Sequence, residues 1–327
     1  MSTSKISRCG SRASSIAGCL FVAAAAVIFV PPASASQLIG RDATHVRIQV
    51  NQGQALLSYR SNGALRRVLA WGAVNARVPS ATVPQAKFHL NYTGFGFNGG
   101  GCAPYTGPSL PWLVAACDGP DGSFWAAQSF PQPLPDLGFT PWTSAQRMRW
   151  LELSHWTGPV PQLTIGQDWV YGGRFSEVYG RLMFLGLPVY GLHTTRYGVP
   201  VGGYGSLVYI DVLDARAYGP GWRRENSFVT HKGSGGFCYG FYRFDPTTGG
   251  YHHPPGATAR RGPGVATVYR ITAHGPGVAP DVGWTGTALG PYDRSDPQDR
   301  QLEQESLAQI TSWGDRSCTA GHSGFAS

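Results

Sequence analysis

One run of nine residues, 206–214 (SLVYIDVLD), constrains the fold of this chain most strongly. In a β-strand, alternate side chains point to opposite faces, so Val208, Ile210 and Val212 share one face. The other face carries Tyr209 and further apolar residues. A strand with two apolar faces suits a position between two layers of structure better than a sheet face exposed to water. The run therefore predicts a strand that is covered on both sides.

A second run, 236–244 (GFCYGFYRF), places Phe237, Tyr239 and Phe241 on one side of a strand. Aromatic residues at period two favour strand over helix. Between the two runs the chain is broken by glycines, which form turns because glycine reaches positive φ freely. The same alternation predicts further strands at 46–50, 55–60, 64–71, 87–92, 112–117, 123–130, 147–156, 163–171 and 265–272.

Local signals add one hairpin and one helix. Asn62 and Gly63 form the strongest hairpin signal in the chain. Residues 298–312 are predicted to be helical, because Asp296 can cap the helix and Pro297 suits its first position. The predicted fold class is therefore all-β, an antiparallel β-sandwich-like architecture with one short C-terminal helix.

Residues 1–35 have the pattern of a secretory signal peptide. Basic residues such as Arg8 and Arg12 precede an apolar run at 16–30, and Ala33-Ser34-Ala35 is a cleavage signal of the A-x-A type. The apolar run is shorter than the roughly 20 residues that a spanning helix needs. We therefore expect cleavage near Ser36, a secreted or extracellular protein, and no transmembrane segment in the mature chain.

The charge balance indicates which partners to expect. The signal holds three of the 26 basic residues and none of the 18 acidic ones, so the mature net charge is 23 − 18, or +5. The arginines are scattered, so no basic stripe for nucleic acid is predicted. A mildly basic exported protein can adhere to an anionic cell wall or lipid surface. Alternatively, the arginine content reflects the base composition of the genome.

Four cysteines remain after cleavage, and an even number in an exported chain predicts disulfides. We expect Cys102 to pair with Cys117, closing a short loop, and Cys238 to pair with Cys318, clamping the tail to the central sheet. Neither pair has the C-x-x-C spacing that is typical of zinc sites.

The proline-rich stretch that follows residue 130 is a candidate domain boundary, because proline resists both strand and helix interiors. It divides the mature chain into an N-terminal β region, 36–140, and a C-terminal β region, 141–327. A single large β domain spanning 36–327 is the alternative.

Familiar catalytic and metal-binding motifs do not fit the chain. The fragments at 233–236, 271–274 and 321–324 resemble pieces of serine protease motifs, but each lacks required residues or the required order. His252 and His253 lie next to each other without a third ligand at metal-site spacing. We therefore predict no metal site and no cofactor.

Two sets of residues in the central stretch carry the functional hypotheses. Aromatic rings beside turn glycines could stack on sugars, although such rings are also common in protein cores. Paired carboxylates could hydrolyse a glycosidic bond, although carboxylates at strand ends are usually solvated or paired with arginine. The predicted ligand-binding rings are Trp169, Tyr171, Tyr218 and Trp222, and the candidate carboxylates are Asp168, Glu177, Asp211 and Glu225.

The favoured hypothesis is a secreted or envelope-associated binding module for a carbohydrate or cell-wall polymer. The first alternative is a secreted glycan hydrolase that uses a pair of carboxylates. The second is a purely structural surface protein.

Overall fold

The computed structural model of this chain describes ten segments, which hold nearly all of the strands expected from sequence. The predicted signal peptide and the predicted domain boundary near residue 140 lie outside these segments. The described residues are 36–80, 83–132, 148–189, 207–215, 220–229, 233–241, 244–245, 250–251, 266–319 and 321–322.

Two antiparallel sheets form an N-terminal sandwich. The outer sheet contains, in spatial order, β2 (Thr44–Asn51), β3 (Gln54–Ser61), β4 (Ala64–Trp71) and β5 (His89–Asn91). The inner sheet contains β1 (Gln37–Arg41), β8 (Arg149–Trp156), β7 (Phe124–Pro131) and β6 (Leu113–Asp118). Apolar residues from both sheets, among them Leu57, Val68 and Leu153, pack into one core between them.

Two further antiparallel sheets form a C-terminal sandwich. One contains β13 (Trp222–Val229), β12 (Leu207–Leu213), β17 (Val268–Ala273) and β18 (Val282–Thr287). The other contains β9 (Gln162–Val170), β10 (Phe175–Phe184), β11 (Leu187–Pro188) and β14 (Gly236–Phe241). A separate two-stranded ribbon consists of β15 (Phe244–Asp245) and β16 (Gly250–Tyr251). Phe241 stacks on Tyr269 across the core, with ring centroids 4.1 Å apart.

The structure confirms that β12 is covered on both faces. Val208 and Ile210 belong to the core of the C-terminal sandwich. Tyr209 and Asp211, on the opposite face, are buried as well. Tyr209 packs there against Phe130 of the N-terminal sandwich. The apolar character of both faces is thus explained by two different neighbours.

The predicted hairpin at Asn62 and Gly63 is also confirmed. Both residues have positive φ, 51° and 78°. Ser61 and Ala64 are the last paired residues of β3 and β4. This is the geometry that two-residue hairpin turns require, because their twist matches that of the flanking strands.

The turn between β17 and β18, residues 274–281, joins the two sandwiches. Val278 packs into the core of the N-terminal sandwich. The Oγ of Ser154 donates to the carbonyl oxygen of Ala279. The side chain of Gln128 exchanges two hydrogen bonds with the backbone of Asp281, at 3.1 Å each. Together Pro32–Ser327 form one compact unit.

The tail contains the predicted helix, α1 (Pro297–Ser312), followed by the short α2 (Arg316–Thr319). The carboxylate of Asp296 caps α1 by accepting a hydrogen bond from the backbone nitrogen of Gln298. Ile310 is the buried apolar residue of the helix and packs on Tyr179 of β10. Within the described residues, no helix is long and apolar enough to cross a membrane.

Both predicted disulfides are present. Cys102 pairs with Cys117, 15 positions apart, within the N-terminal sandwich. Cys238 pairs with Cys318, 80 positions apart, and ties the tail to β14.

The two disulfides should differ in their contribution to stability. In the chain-entropy model, closing the longer loop stabilises by about 4–5 kcal/mol and closing the shorter one by about 3 kcal/mol. We therefore expect the double variant C238S/C318S to lose more unfolding free energy in urea than C102S/C117S. An equal or smaller loss for C238S/C318S would contradict this order.

Candidate functional site

Two of the four candidate carboxylates meet in the structure. Asp168 of β9 and Glu177 of β10 are direct partners in the antiparallel register. The Nε2 of His322, in the tail, lies 2.9 Å from Asp168 Oδ2 and 3.5 Å from Glu177 Oε1. The pair thus converges on an imidazole from the fragment at 321–324, which lies far from both strands in the sequence.

This carboxylate pair is enclosed. All three side chains are buried, and Nδ1 of His322 contacts the carbonyl oxygen of Cys318, next to the tail disulfide. Burial raises the pKa of Asp168, although its hydrogen bond with His322 acts in the opposite direction. Burial lowers the pKa of His322, but the hydrogen bond with Asp168 and the charge of Glu177 outweigh it, so this pKa is raised. The arrangement fastens the tail to the sheet.

The other two candidate carboxylates have separate partners. The carboxylate of Asp211 forms an ion pair with Nε of Arg224 at 2.8 Å and a longer one with Nη2 of Arg270 at 3.4 Å. Glu225 accepts a hydrogen bond from the hydroxyl of Tyr239 at 3.0 Å. Asp211 is therefore neutralised by arginine, as the alternative interpretation expected.

The predicted ligand-binding rings occupy different environments. Trp169 is only 3% exposed, and its Nε1 donates to the carbonyl oxygen of Gly290. Tyr171 is partly exposed and packs edge-on against Phe175. Tyr218 lies outside the described residues. Trp222 is half-buried and belongs to a stack of rings and guanidinium groups.

That stack alternates arginine and tryptophan. The guanidinium of Arg270 lies 4.1 Å from the ring centroid of Trp222 and 3.9 Å from that of Trp112. Arg149 follows at 5.2 Å from Trp112. Cations over tryptophan rings are attracted by the negative face of the ring. Because Arg149 and Trp112 lie in the N-terminal half, the stack links the two sandwiches.

A second link is a fully buried cluster of polar groups. Glu152 of β8 and Asp281 of the joining turn both lie near His274, whose Nε2 is 3.8 Å from Glu152 Oε2 and 3.6 Å from Asp281 Oδ2. The hydroxyl of Tyr209 contacts the same nitrogen at 2.5 Å. Ser36 completes the cluster, because its hydroxyl donates to Glu152.

Burial dominates the protonation of this cluster. It raises the pKa of Glu152 and of Asp281 well above the usual range. It lowers the pKa of His274 to about 3, with a smaller contribution from the charge of Arg224. The imidazole is therefore neutral at physiological pH.

The outer face of the N-terminal sandwich carries an open site, which we call the cationic groove. It has a volume of about 700 Å³ and crosses β2, β3 and β4. Four of its residues are basic and none is acidic. Its lining is His45, Arg47, Ile48, Gln49, Leu56, Ser58, Arg60, Leu65, Arg67, Cys102, Ala115 and Ala116.

Strand register aligns the charges of the cationic groove. Ser58 of β3 lies opposite Arg47 of β2 and opposite Arg67 of β4, so the two guanidinium groups flank a small side chain. In the described part of the chain, neither guanidinium group has a hydrogen bond or an ion pair. Both charges are therefore available to a ligand.

A loop with exposed rings approaches the cationic groove. Tyr92 and Phe95, in the loop after β5, are 61% and 80% exposed. The backbone of this loop touches the groove at Gly94, where an added Cβ would lie 2.8 Å from the Cβ of Arg67. Glycine permits this close approach and also the positive φ of 69° at that position.

The Cys102–Cys117 disulfide supports one end of the cationic groove. Cys102 and Ala116 belong to the lining, and Ala116 precedes the second cysteine in β6. Val50 of β2 pairs with Gly101 as an isolated bridge. The disulfide thus holds β6 beside the edge strand that carries Arg47.

The cationic groove, the stack and the buried cluster have no sequence motif that marks them as sites. The sequence places Arg47 between Val46 and Ile48 in the predicted strand at 46–50, which indicates only a polar strand face. The usable signal was His45 and Arg47 on one face of β2 and Arg67 on β4, but their alignment depends on which strands pair and in which register.

Comparison with known proteins adds no assignment. No family model, curated protein or solved structure matches this chain. Any functional assignment therefore depends on the geometry described above.

The neutral, buried His274 predicts a loss of stability in acid. Its pKa is about 3 in the native state against an ordinary value of 6.5, so the unfolded chain binds one more proton between these values. This lowers the free energy of unfolding by up to roughly 1 kcal/mol per pH unit as pH falls from about 6 towards 3. Glu152 and Asp281, with raised pKa values, act in the opposite direction.

The variant H274Q isolates the contribution of the histidine, because it keeps the native cluster's charge at neutral pH. We expect urea unfolding between pH 7 and pH 4 to show a shallower acid loss for H274Q than for the wild type. Identical slopes would contradict a neutral imidazole.

Proposed function

We propose that this protein is an exported binding module that holds an anionic envelope polysaccharide in the cationic groove. The observation that carries the proposal is a groove with three arginines and a histidine and without an acidic residue in its lining. Charge complementarity selects a polymer with carboxylate, phosphate or sulfate groups.

The side chains of the cationic groove suit such a polymer. Guanidinium groups bind planar anions through two parallel hydrogen bonds, which gives both affinity and orientation. Leu65, which is 57% exposed, and the rings of Tyr92 and Phe95 supply apolar surface for the faces of sugar rings. Anionic groups and apolar sugar faces therefore both find partners here.

Other properties of the chain are compatible with this role. Two disulfides suit an oxidising compartment. The net charge of +5 expected after removal of residues 1–35 favours adhesion to an anionic surface. By contrast, the carboxylate pair Asp168 and Glu177 is buried beneath the tail, so the hydrolase alternative gains no support from it.

Removing two charges from the cationic groove should weaken binding. We expect R47Q/R67Q to bind polygalacturonate at least about tenfold more weakly than the wild type, since a lost charged hydrogen bond costs about 1.5–3 kcal/mol. Dextran, a neutral polymer, should bind weakly to both proteins. Isothermal titration calorimetry at two salt concentrations measures the effect, and added salt should reduce only the polygalacturonate affinity.

R66Q is the matched control for this experiment. Arg66 precedes Arg67 on β4 and is also exposed, but it lies opposite Tyr59 and does not line the cationic groove. It removes the same charge from the other face of the same strand. R66Q is compared with the single variant R67Q, which removes one charge from the groove itself. Equal losses of affinity for these two variants, or release of sugar from the polymer, would contradict binding without hydrolysis in this groove.

A further inference from the structure

Ser36 occupies an unusual position for a residue near a predicted cleavage site. It is fully buried, and its hydroxyl donates to Glu152 and lies 3.2 Å from Asp281 Oδ1. These partners are 116 and 245 positions away in the chain. The first described residue thus lies inside the joint between the two sandwiches.

The cluster around Ser36 holds two carboxyl groups and lacks a cation among the described residues. No arginine or lysine of the described segments makes an ion pair with Glu152 or Asp281. His274 is neutral for the reasons given above. Glu152 Oε1 is buried and has no hydrogen-bond partner. Without a countercharge, burying the ionised form of each carboxyl costs several kcal/mol, and this cost is the reason that burial raises both pKa values.

The sequence offers a cation at this position. Ala33-Ser34-Ala35 predicts cleavage of the bond between Ala35 and Ser36 by a signal peptidase. Hydrolysis adds one water: Ala35 gains the hydroxyl and becomes a carboxylate, and Ser36 gains a hydrogen. The new α-amine then takes up a proton at neutral pH, because free α-amines have pKa values near 7.7–8.0.

We propose that the α-ammonium group of the processed Ser36 is the buried countercharge of Glu152 and Asp281. Only three covalent bonds of roughly 1.5 Å separate the backbone nitrogen from Oγ, so it lies within about 4 Å of the hydroxyl that already touches both carboxyls. An ammonium group brings three donors, and Glu152 Oε1 is an acceptor in need of one.

Cleavage before Ser36 would thus stabilise the folded protein. Before cleavage, the Ser36 nitrogen is an amide with one N–H and no charge. After cleavage it can form ion pairs with carboxyls from both sandwiches. The joint is therefore completed only in the processed protein.

A divalent metal is the rival occupant. One ligand atom each from Glu152, His274 and Asp281 lies within 4.8 Å of the other two. A metal would neutralise the same carboxyls, but it would not require a free amine at Ser36. The tests below separate the two.

The first test measures protection of the α-amine. The exported protein is purified, its N-terminus is sequenced, and the native form is treated with an amine-reactive reagent and mapped by mass spectrometry. Lys87 is exposed and serves as the internal control. We expect the chain to begin at Ser36, Lys87 to react rapidly, and the α-amine to react at least tenfold more slowly until urea is added.

The second test compares a chain that begins at Ser36 with one that keeps Ala35. We expect the Ala35-extended form to melt roughly 5–15 °C lower, since breaking a buried ion pair is strongly destabilising. The difference should vanish in the E152Q/D281N background, which has no charge to neutralise. It should also shrink as pH rises from 7 to 10, because the stabilising ammonium loses its proton.

The outcomes discriminate between the α-ammonium group and a metal ion as the countercharge of Glu152 and Asp281. Rapid labelling of the Ser36 amine, a mature start at another residue, or equal melting of the two forms overturns the proposal. One equivalent of bound metal by elemental analysis, lost in H274A, overturns it in favour of the metal. Protection of the amine supports the proposal even if the E152Q/D281N variant fails to fold.

Discussion

The contact between β8 and the turn at residues 274–281 holds the two sandwiches of this protein together. Each sandwich has its own apolar core, and the turn inserts Val278 into the N-terminal one. Around Val278, the side chain of Gln128 forms two hydrogen bonds with the backbone of Asp281, and the hydroxyl of Ser154 donates to the carbonyl oxygen of Ala279. The joint therefore combines apolar packing with buried hydrogen bonds whose donors and acceptors come from opposite halves. The geometry of the joint determines how Glu152 and Tyr209 approach each other and where the stack of arginine and tryptophan forms.

The polar groups of this protein fall into two classes with different roles. The buried ones, such as Asp168 with His322 and Asp211 with Arg224, are satisfied by other parts of the chain and connect its segments. Those of the cationic groove are exposed, and Arg47 and Arg67 have no partner among the described residues. An internal ion pair gains little by binding a ligand, whereas an unpaired charge in a concave surface gains a partner that offsets its loss of hydration. This difference favours the cationic groove over the enclosed carboxyls as the place of function.

Sequence patterns predicted the local features well. The two apolar faces of β12, the turn at Asn62 and Gly63, and the helix capped by Asp296 all depend on neighbours within a few positions. The cysteine pairing was predictable because the four cysteines outside the predicted signal peptide allow only three pairings. The cationic groove and the buried cluster depend on register and on contacts such as Ser36 with Asp281, 245 positions apart. Periodicity cannot determine such contacts, because it states which face a residue occupies but not what covers that face.

The positions of the two disulfides have a mechanical consequence. Cys102–Cys117 lies within the N-terminal sandwich and Cys238–Cys318 within the C-terminal one, so neither bond crosses the joint. Between the halves, the described residues make noncovalent contacts, which include packing, hydrogen bonds and the stacked rings. The sandwiches can thus separate while each remains covalently closed, and they can dock again without any exchange of thiols. Trp112, held between guanidinium groups from both halves, lies where its fluorescence would report that separation.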